Sequence, residues 1–447
     1  MRCAFVKYMM KYVSYNIENY VEKLYIIKIV EEIYMRRRIA NDKTCTACNA
    51  CIGICPVGCI SYEYELDMAY SFASCDTEKC IKCGLCYKTC PQLVSFNGKI
   101  SERCFVAWST DSNIRESSAS GGVCAELYRS FCEENKWIAG VRMTDENDAK
   151  FFITSDFNDV SLFQNSKYVY SDTSNTYSGI FEILKRGEEA LFIGLPCQVA
   201  GLYRFLKTKK QNLDKLLCVD LVCHGVTPSA FWHEYIDNIQ THCSSKIASV
   251  SFRTPVMGTD NFVLSVSDSD QNIMYKKTVK SNDPYQVGYH YGISYRENCY
   301  DCKYARKERV GDLTLADFFG VGLVENFEFE KKNVSCVLVN TNKGLEVLQR
   351  LKEKGMLEIF ERPIEEEYQF EKQLNEPTAR TKYRDAFIAE YKKTSDFTNS
   401  MNKVIKPIVW KNRLKQVIRY NEFRTIIGRC LSRESKRKIK SLLKRNS

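Results

Sequence analysis

Histidine is scarce. The 447 residues contain only His224, His233, His242 and His290, which excludes a histidine-rich metal centre. A long apolar run is also missing. The longest stretch without a charged residue, Thr44 to Tyr62, is filled with cysteines and interrupted by Asn49, Gly53, Pro56 and Gly58, so it does not read as a membrane span. The first 40 residues lack a continuous apolar core followed by a small-residue cleavage site, and export is not expected. Nor is basic charge spread along the chain. Net charge is +10, but residues 403–447 carry 15 Lys and Arg against Glu422 and Glu434, a local +13 that leaves −3 for everything before them. No nucleic-acid-binding fold or aromatic-lined groove accompanies that basic tail, and no nucleic-acid partner is expected.

Cysteine is what the chain has in excess, with 22 residues in a composition that is 44% apolar and 27% charged. Such a count fits either a disulfide-rich secreted protein or a thiolate-metal protein, and spacing decides between them. Cys45, Cys48, Cys51 and Cys55-Pro56 recur 35 positions later as Cys80, Cys83, Cys86 and Cys90-Pro91. This C-x2-C-x2-C-x3-C-P spacing is that of a two-cluster bacterial ferredoxin. Three closely spaced thiolates wrap three corners of an iron-sulfur cube, and the fourth lies past the turn, where it reaches the other cube. The expected ligand sets are Cys45, Cys48, Cys51 with Cys90, and Cys80, Cys83, Cys86 with Cys55, giving two [4Fe-4S] clusters. Zinc ribbons or a disulfide knot are the alternatives, but zinc sites usually draw pairs of ligands from separate knuckles. Cys59 and Cys75 have no partner in the repeat and read as spare thiols. Thiolates at this density require a reducing compartment, so the cytoplasm of an anaerobe is the expected location.

At roughly 150 residues per domain the length suggests about three folded units. Residues 1–41 form an extension with no recognisable chemistry, and residues 42–96 a two-cluster ferredoxin module. Residues 104–360 form an oxidoreductase domain, and residues 361–447 a helical, basic C-terminal region. Within 104–320 apolar strands (Cys104 to Trp108, Trp137 to Met143, Ala190 to Gly194, Leu216 to Cys223) alternate with helical stretches at 121–134, 176–186, 197–208 and 229–241, the pattern of an α/β domain. Residues 247–278 read as two or three antiparallel strands with a turn at 258–261, and helices are expected at 342–355 and 379–393. The fold class is therefore multidomain α+β and α/β: a ferredoxin-like module, a mixed-sheet flavin domain and a basic helical tail.

Five local patterns stand out in order: Ser118-Ala119-Ser120-Gly121-Gly122-Val123, Ser166-Lys167-Tyr168-Val169, Gly194-Leu195-Pro196-Cys197-Gln198, Asp220-Leu221-Val222-Cys223-His224-Gly225, and Cys299-x2-Cys302 followed by Gly311-Asp312-Leu313 through Gly320. Together they resemble the family of coenzyme F420 hydrogenase and dehydrogenase beta subunits, in the form with a fused N-terminal ferredoxin domain, over about residues 42–320. The resemblance implies an FAD-containing iron-sulfur oxidoreductase that moves electrons between clusters and a small two-electron substrate, deazaflavin-like or other. A redox protein would act as donor or acceptor. Some bacterial relatives lie beside polysaccharide-synthesis genes, which extends the expectation to that pathway class. A flavin is the natural converter between one-electron clusters and two-electron chemistry. The competing reading is a non-enzymatic electron carrier or adaptor that relays electrons to a partner.

Under this resemblance Ser118, Ser120, Gly121 and Gly122, just ahead of a helix, are the candidates for the FAD pyrophosphate, because free N–H groups and the helix dipole favour phosphate there. An ordinary helix cap is the alternative. Lys167 offers charge to flavin or phosphate, or is a solvated lysine at a strand start. Cys197, Cys223, Cys299 and Cys302 match the cysteines that family members without the ferredoxin module retain, and would hold a third [4Fe-4S] cluster. His224 is a proton donor, a partner of the cluster ligands, or a structural histidine. Asp312 and Asp317 are given no catalytic role. Residues 1–34 are expected to be dispensable. In the tail, Trp410, Leu414, Val417 and Ile418 fall on one helical face among Lys411, Arg413, Lys415 and Arg419, an interfacial pattern. A second short helix would present Ile439, Leu442 and Leu443 beside Lys436, Arg437, Lys438, Lys440 and Lys444. Peripheral attachment to an anionic membrane face, or to an acidic partner, is the resulting expectation. The sequence leaves the oligomeric state open.

Overall fold

The computed structural model describes residues 38–419 except 42, 66–69, 96, 244, 255–262 and 279–280. Most of the N-terminal extension, the turn expected at 258–261 and the tail beyond residue 419 lie outside the described residues.

The 35-residue repeat is written into the backbone as well as the cysteines. Helix Ala50–Ile54 recurs as helix Leu85–Thr89. Each is entered through a left-handed residue, Asn49 (φ 62°) and Gly84 (φ 74°), and each Cys-x2-Cys turn contains a second one, Ala47 (φ 53°) and Lys82 (φ 57°). Asn and Gly tolerate this region, whereas Ala and Lys lose about 1–2 kcal/mol there. Strain repeated at equivalent positions marks a loop shaped for a purpose other than its own stability. Between the two motifs, strands Ile60–Glu65 and Tyr70–Cys75 pair as an antiparallel hairpin with Ile60 opposite Cys75.

The second unit is built on a nine-stranded mixed sheet. Its strands are β1 (Arg103–Ser109), β2 (Trp137–Met143), β3 (Ala149–Thr154), β4 (Ser171–Asp172), β5 (Ala190–Gly194), β6 (Leu216–Leu221), β7 (Leu313–Asp317), β8 (Ser335–Val339) and β9 (Leu357–Arg362). They lie in the order β9-β1-β8-β7-β6-β5-β2-β3-β4. The centre, β7-β6-β5-β2, is parallel, and β8, β1 and β9 add antiparallel pairs on one side. Central parallel strands are covered on both faces, which is why β5 is buried at every position of Ala-Leu-Phe-Ile-Gly. On one face Val123, Leu127 and Phe131 of helix Val123–Glu133 pack with Leu348 and Leu351 of helix Asn342–Glu353. On the other, Ile180, Ile183 and Leu184 of helix Thr176–Lys185 and Val199, Leu202 and Phe205 of helix Pro196–Thr208 form a layer that also receives Ala50 and Ile54 of the first ferredoxin helix. The two units therefore share a core.

Ser249–Ser251, Val263–Ser267 and Ile273–Thr278 form a three-stranded antiparallel sheet. It closes over helix Ser229–Cys243 with Trp232, Tyr235, Phe252 and Tyr285, and the same cluster takes in Phe387, Phe397, Met401, Ile405 and Ile408 from helices Lys382–Thr394 and Phe397–Arg419. Each such fully buried side chain contributes about 1.5–3 kcal/mol. The last helix is thus a core element over its first three turns and passes through Pro407 without ending. The strand expected over Leu216 to Cys223 stops at Leu221, which leaves Cys223 free of the ladder.

Candidate redox centre

Each expected ligand set is gathered in space. Cys45, Cys48, Cys51 and Cys90 line one small cavity together with Ala47, Asn49 and Tyr62. Burial, followed by the neighbouring Cys90 and Cys45, pushes the Cys48 thiol up to about 12. The loop is held from the α/β unit. Asn49 Nδ2 donates to Asp172 Oδ1 (2.7 Å) and Thr173 Oγ1 (3.1 Å), Thr173 Oγ1 to the Cys48 carbonyl (3.0 Å), and the Tyr170 hydroxyl to the Ala47 carbonyl (2.6 Å), which also accepts from the hydroxyl of Tyr62 on the ferredoxin hairpin (2.5 Å). At the second set, Cys83 is exposed and Cys55, Cys80 and Cys86 are half-buried. Cys80 is held below the ordinary thiol value, first by the Lys82 backbone N–H and next by Cys75. Cys59 and Cys75, outside the repeat, sit against this set.

The four thiols that sequence spacing could not group, Cys197, Cys223, Cys299 and Cys302, line a single cavity of about 40 Å³. Cys197 lies in the first turn of helix Pro196–Thr208, just past β5; Cys223 lies two residues beyond β6; Cys299 and Cys302 come from the turn at Glu297–Asp301. Burial raises all four, and their mutual proximity adds to it for Cys197, Cys223 and Cys299. Four thiols, Cys299 buried and the other three half-buried, that repel one another as thiolates would be stabilised by a cationic iron core bound to all of them, so the donor set fits a cubane.

One device that sequence reading missed assembles this site. Asp220, buried in β6, pairs with Arg309 at 2.6 Å, the two side chains being 0% and 1% exposed. Asp220 also accepts from Thr314 Oγ1 (2.9 Å) and from the backbone N–H groups of Val310 (3.1 Å) and Gly311 (2.7 Å), while Arg309 Nη1 donates to the Tyr304 carbonyl (3.1 Å). The pair ties the Cys223 strand to the chain that follows the Cys299-x2-Cys302 turn. Its signal was an acid inside the apolar run Leu216-Leu-Cys-Val-Asp-Leu, which must have a buried partner.

A larger cavity of about 350 Å³ opens past the carboxyl ends of β5, β6 and β7, the usual position for a ligand in an open α/β sheet. Ser118, Ser120, Gly122 and Lys167 line it; Gly121 does not. Helix Val123–Glu133 starts at Gly122 (φ 87°) with no side-chain cap, so its first N–H groups are not spent on one, and Val123, Cys124 and Ala125 face the cavity. That end fits an anion such as a pyrophosphate, and the walls of Tyr168, Ile193, Leu221, Tyr289 and Tyr295 fit a flat apolar ring and exclude water. Gly121 has another task. A Cβ there would lie 2.4 Å from the Ala107 carbonyl and 2.8 Å from the Ser335 amide, and its N–H donates to Ser335 Oγ (2.9 Å). Ser120 Oγ donates to the Val334 carbonyl (2.9 Å). Burial pulls the Lys167 ammonium down to about 7 while nearby Cys124 pushes it up, and its Nζ donates to backbone carbonyls including Gln164 (2.6 Å) and Phe163 (3.1 Å). Asp317 is paired with Arg253 (2.9 Å), and Asp312 accepts from the Cys218 amide (2.9 Å) and Thr341 Oγ1 (2.9 Å).

These sites form a row. Thr46 lines both the first ferredoxin cavity and the Cys197 cavity, and Leu195, Gln198, Cys223, His224, Gly225 and Val226 line both the Cys197 cavity and the large one. His224, half-exposed, stands at the second junction with Nε2 3.8 Å from Glu371 Oε1.

Residues 187–365, which contain Cys197, Cys223, Cys299 and Cys302, match the C terminus of the coenzyme F420 hydrogenase/dehydrogenase beta subunit. The chain carries that family's C-terminal domain. Residues 76–94, with Cys80, Cys83, Cys86 and Cys90, match a 4Fe-4S binding domain, so the protein is related to iron-sulfur oxidoreductases. Ser118 to Gly122 and Lys167 fall outside both matches. Among curated proteins, an F(420)H(2) dehydrogenase subunit of Methanosarcina mazei is 22% identical over 195 residues, covering 41% of this chain and 54% of that protein. Pyruvate synthase subunit PorD of Methanothermobacter marburgensis is 41% identical over 51 residues, 11% of this chain and 51% of that protein. The chain thus spans about half the length of the curated relatives it matches. A chain of the F420-reducing [NiFe] hydrogenase complex from Methanosarcina barkeri aligns at TM-score 0.37 and 16% identity over 73% of this chain and 94% of its own. Among the described residues no helix is long and apolar enough to cross a membrane.

Proposed function

We propose that this protein is an iron-sulfur flavoprotein oxidoreductase with three [4Fe-4S] clusters and one FAD, working between a redox protein partner and a small two-electron substrate of the deazaflavin kind or another. The observation that carries this reading is the row of cysteine-lined sites ending at a cavity of about 350 Å³ lined by an uncapped helix N-terminus. The clusters supply one-electron transfer, and the flavin converts it to two-electron chemistry. The chain's own residues do the rest. Cys45, Cys48, Cys51 and Cys90 hold the first cluster, Cys55, Cys80, Cys83 and Cys86 the second, and Cys197, Cys223, Cys299 and Cys302 the third. Ser118, Ser120, Gly122 and the first turn of helix Val123–Glu133 orient the pyrophosphate, and Lys167 closes that wall by pinning the turn at 162–165. Tyr168, Tyr289 and Tyr295 exclude water, and His224 moves protons at the junction. The C-terminal helix and the basic tail beyond it dock the protein on an anionic surface.

The test is the double variant Cys299→Ser/Cys302→Ser, purified anaerobically. Iron should fall by about four per chain if one cubane is lost, with flavin retained but no longer reduced by a low-potential one-electron donor. Unchanged iron would remove the third cluster from the reading. A wild-type chain without flavin would leave an electron carrier in place of an enzyme.

A further inference from the structure

Six thiols crowd the second ferredoxin site, where a cubane takes four. Cys59 follows Cys55-Pro56 by the short turn at 56–58, and Cys75 ends the second hairpin strand. Both are buried, at 5% and 9% exposure. Cys59 Sγ lies 3.4 Å from Cys55 Sγ and 3.7 Å from Cys75 Sγ, and the sulfurs of Cys59, Cys75 and Cys80 all lie within 4.8 Å of one another. The repeat makes this asymmetric: 35 positions away, around the first site, the equivalents of Cys59 and Cys75 are Val94 and Ala40, so apolar side chains serve there. Packing alone therefore does not demand thiols at 59 and 75, although buried cysteine can act as a small apolar residue.

Their spacing suggests what the thiols are for. A thiolate binds a metal at about 2.3 Å, so two sulfurs that can both reach one metal without moving lie no more than about 4.6 Å apart. Cys59 meets that limit beside Cys55, and Cys75 Sγ lies within 4.8 Å of Cys80 Sγ. The two ligands they flank come from different motifs. We infer that Cys59 and Cys75 are reserve ligands of the second cluster, Cys59 for the position of Cys55 and Cys75 for that of Cys80. This rests on the cluster reading proposed above. In the exchange the outgoing thiolate leaves its iron and takes a proton, the incoming thiol releases one, and its thiolate forms the new iron-sulfur bond; no electron is transferred. The cluster then survives loss or oxidation of a primary ligand that would otherwise release it.

The test uses the full chain, reconstituted anaerobically, with iron and sulfide counts and the electron paramagnetic resonance of the reduced protein. Cys55→Ala and Cys80→Ala should each keep the wild-type iron, with a shifted resonance that reports the new thiolate. Cys55→Ala/Cys59→Ala and Cys80→Ala/Cys75→Ala should each lose about four irons, the content of one cubane. Cys59→Ala/Cys75→Ala should keep all of its iron, yet shed second-cluster iron several-fold faster than wild type in air; this measurement does not depend on the single variants folding. The inference is overturned if Cys55→Ala or Cys80→Ala alone loses as much iron as its double variant, if Cys59→Ala/Cys75→Ala decays at the wild-type rate, or if Cys59, Cys75 and Cys80 of the wild-type chain capture one zinc. A wild-type chain with no second cluster is seen before any variant is made, and refutes the cluster reading itself.

Discussion

Replacement of Asp220 by asparagine should disable the third thiol site from a distance. The carboxylate is fully buried, shares its Oδ1 with Arg309 and Thr314, and spends its Oδ2 on the amides of Val310 and Gly311. An amide side chain has one acceptor oxygen. Whichever way it turns, its NH2 faces two donors that lose their acceptor, at about 1–3 kcal/mol each, and Arg309 remains buried without a counter-charge. Removing one partner of a buried pair costs about 3–5 kcal/mol, so Asp220→Asn should lower the folding equilibrium by more than about a hundredfold. The assay is urea unfolding of the iron-loaded protein followed by tryptophan fluorescence, paired with an iron count, because the same bonds position Cys223 against Cys299 and Cys302. Asp220→Leu/Arg309→Met should recover much of the loss, since paired apolar replacement of a buried ion pair is often near neutral. A cost below about 1 kcal/mol for Asp220→Asn, or strict additivity in the double variant, would refute the reasoning.

Three further outcomes are expected. Ala119→Asp puts a carboxylate on the cavity wall where phosphate is proposed, and should abolish flavin binding while iron stays constant; full flavin occupancy would move the pyrophosphate elsewhere. Gly121 is unsuited to that test because any side chain there strikes the Ala107 carbonyl. His290 is pulled down to about 3, first by burial and then by His224 and Arg253. Because the unfolded chain takes up this proton near pH 6.5 and the folded one does not, stability should be complete above pH 6.5 and decline as pH falls toward 3. His290→Gln should flatten that part of the profile, and an unchanged slope would contradict the assignment. The full chain should sediment with anionic vesicles at low salt and be released at high salt. A chain ending at residue 419 with Trp410→Ser should stay in solution, and equal recovery of the two in the supernatant would reject membrane docking. Truncation before residue 409 would confuse that result, since Met401, Ile405 and Ile408 are buried while Trp410 is 67% exposed.

The parts of the fold that sequence makes legible are those where one physical signal acts alone. β2 and β5 coincide with the expected strands residue for residue: β5 is a continuous apolar run at a covered sheet centre, and β2 is apolar from Trp137 to Val141 before Arg142. The 35-residue cysteine repeat is legible from spacing, and the structure repeats it in two short helices and in left-handed residues at the same offset. Where signals compete, the sequence is less legible. β8, Ser335-Cys-Val-Leu-Val, is as short and as fully buried as β5, but it lies past residue 320, where the alternation of strands and helices that makes β5 legible has ended. β9 shows its alternation only once β1 is known to pair with it. Pro407 suggests a break, yet Met401 and Ile405 before it and Ile408 after it anchor the helix on both sides of the missing N–H. Among site residues, Cys197, Cys223, Cys299 and Cys302 lie up to 105 positions apart, so spacing alone could not unite them; the fold does. Cys59 and Cys75 looked spare because nothing in the repeat accounts for them, and only the hairpin register carries them to the second site.

The central claim is a row of three cubanes ending at a flavin, and cofactor stoichiometry tests it most directly. Anaerobically purified wild-type protein, assayed for iron, acid-labile sulfide, zinc and acid-released flavin, should contain about twelve irons and twelve sulfides, four per cluster, with one FAD per chain and no stoichiometric zinc. Zinc in place of iron, or eight irons or fewer without flavin, would contradict it.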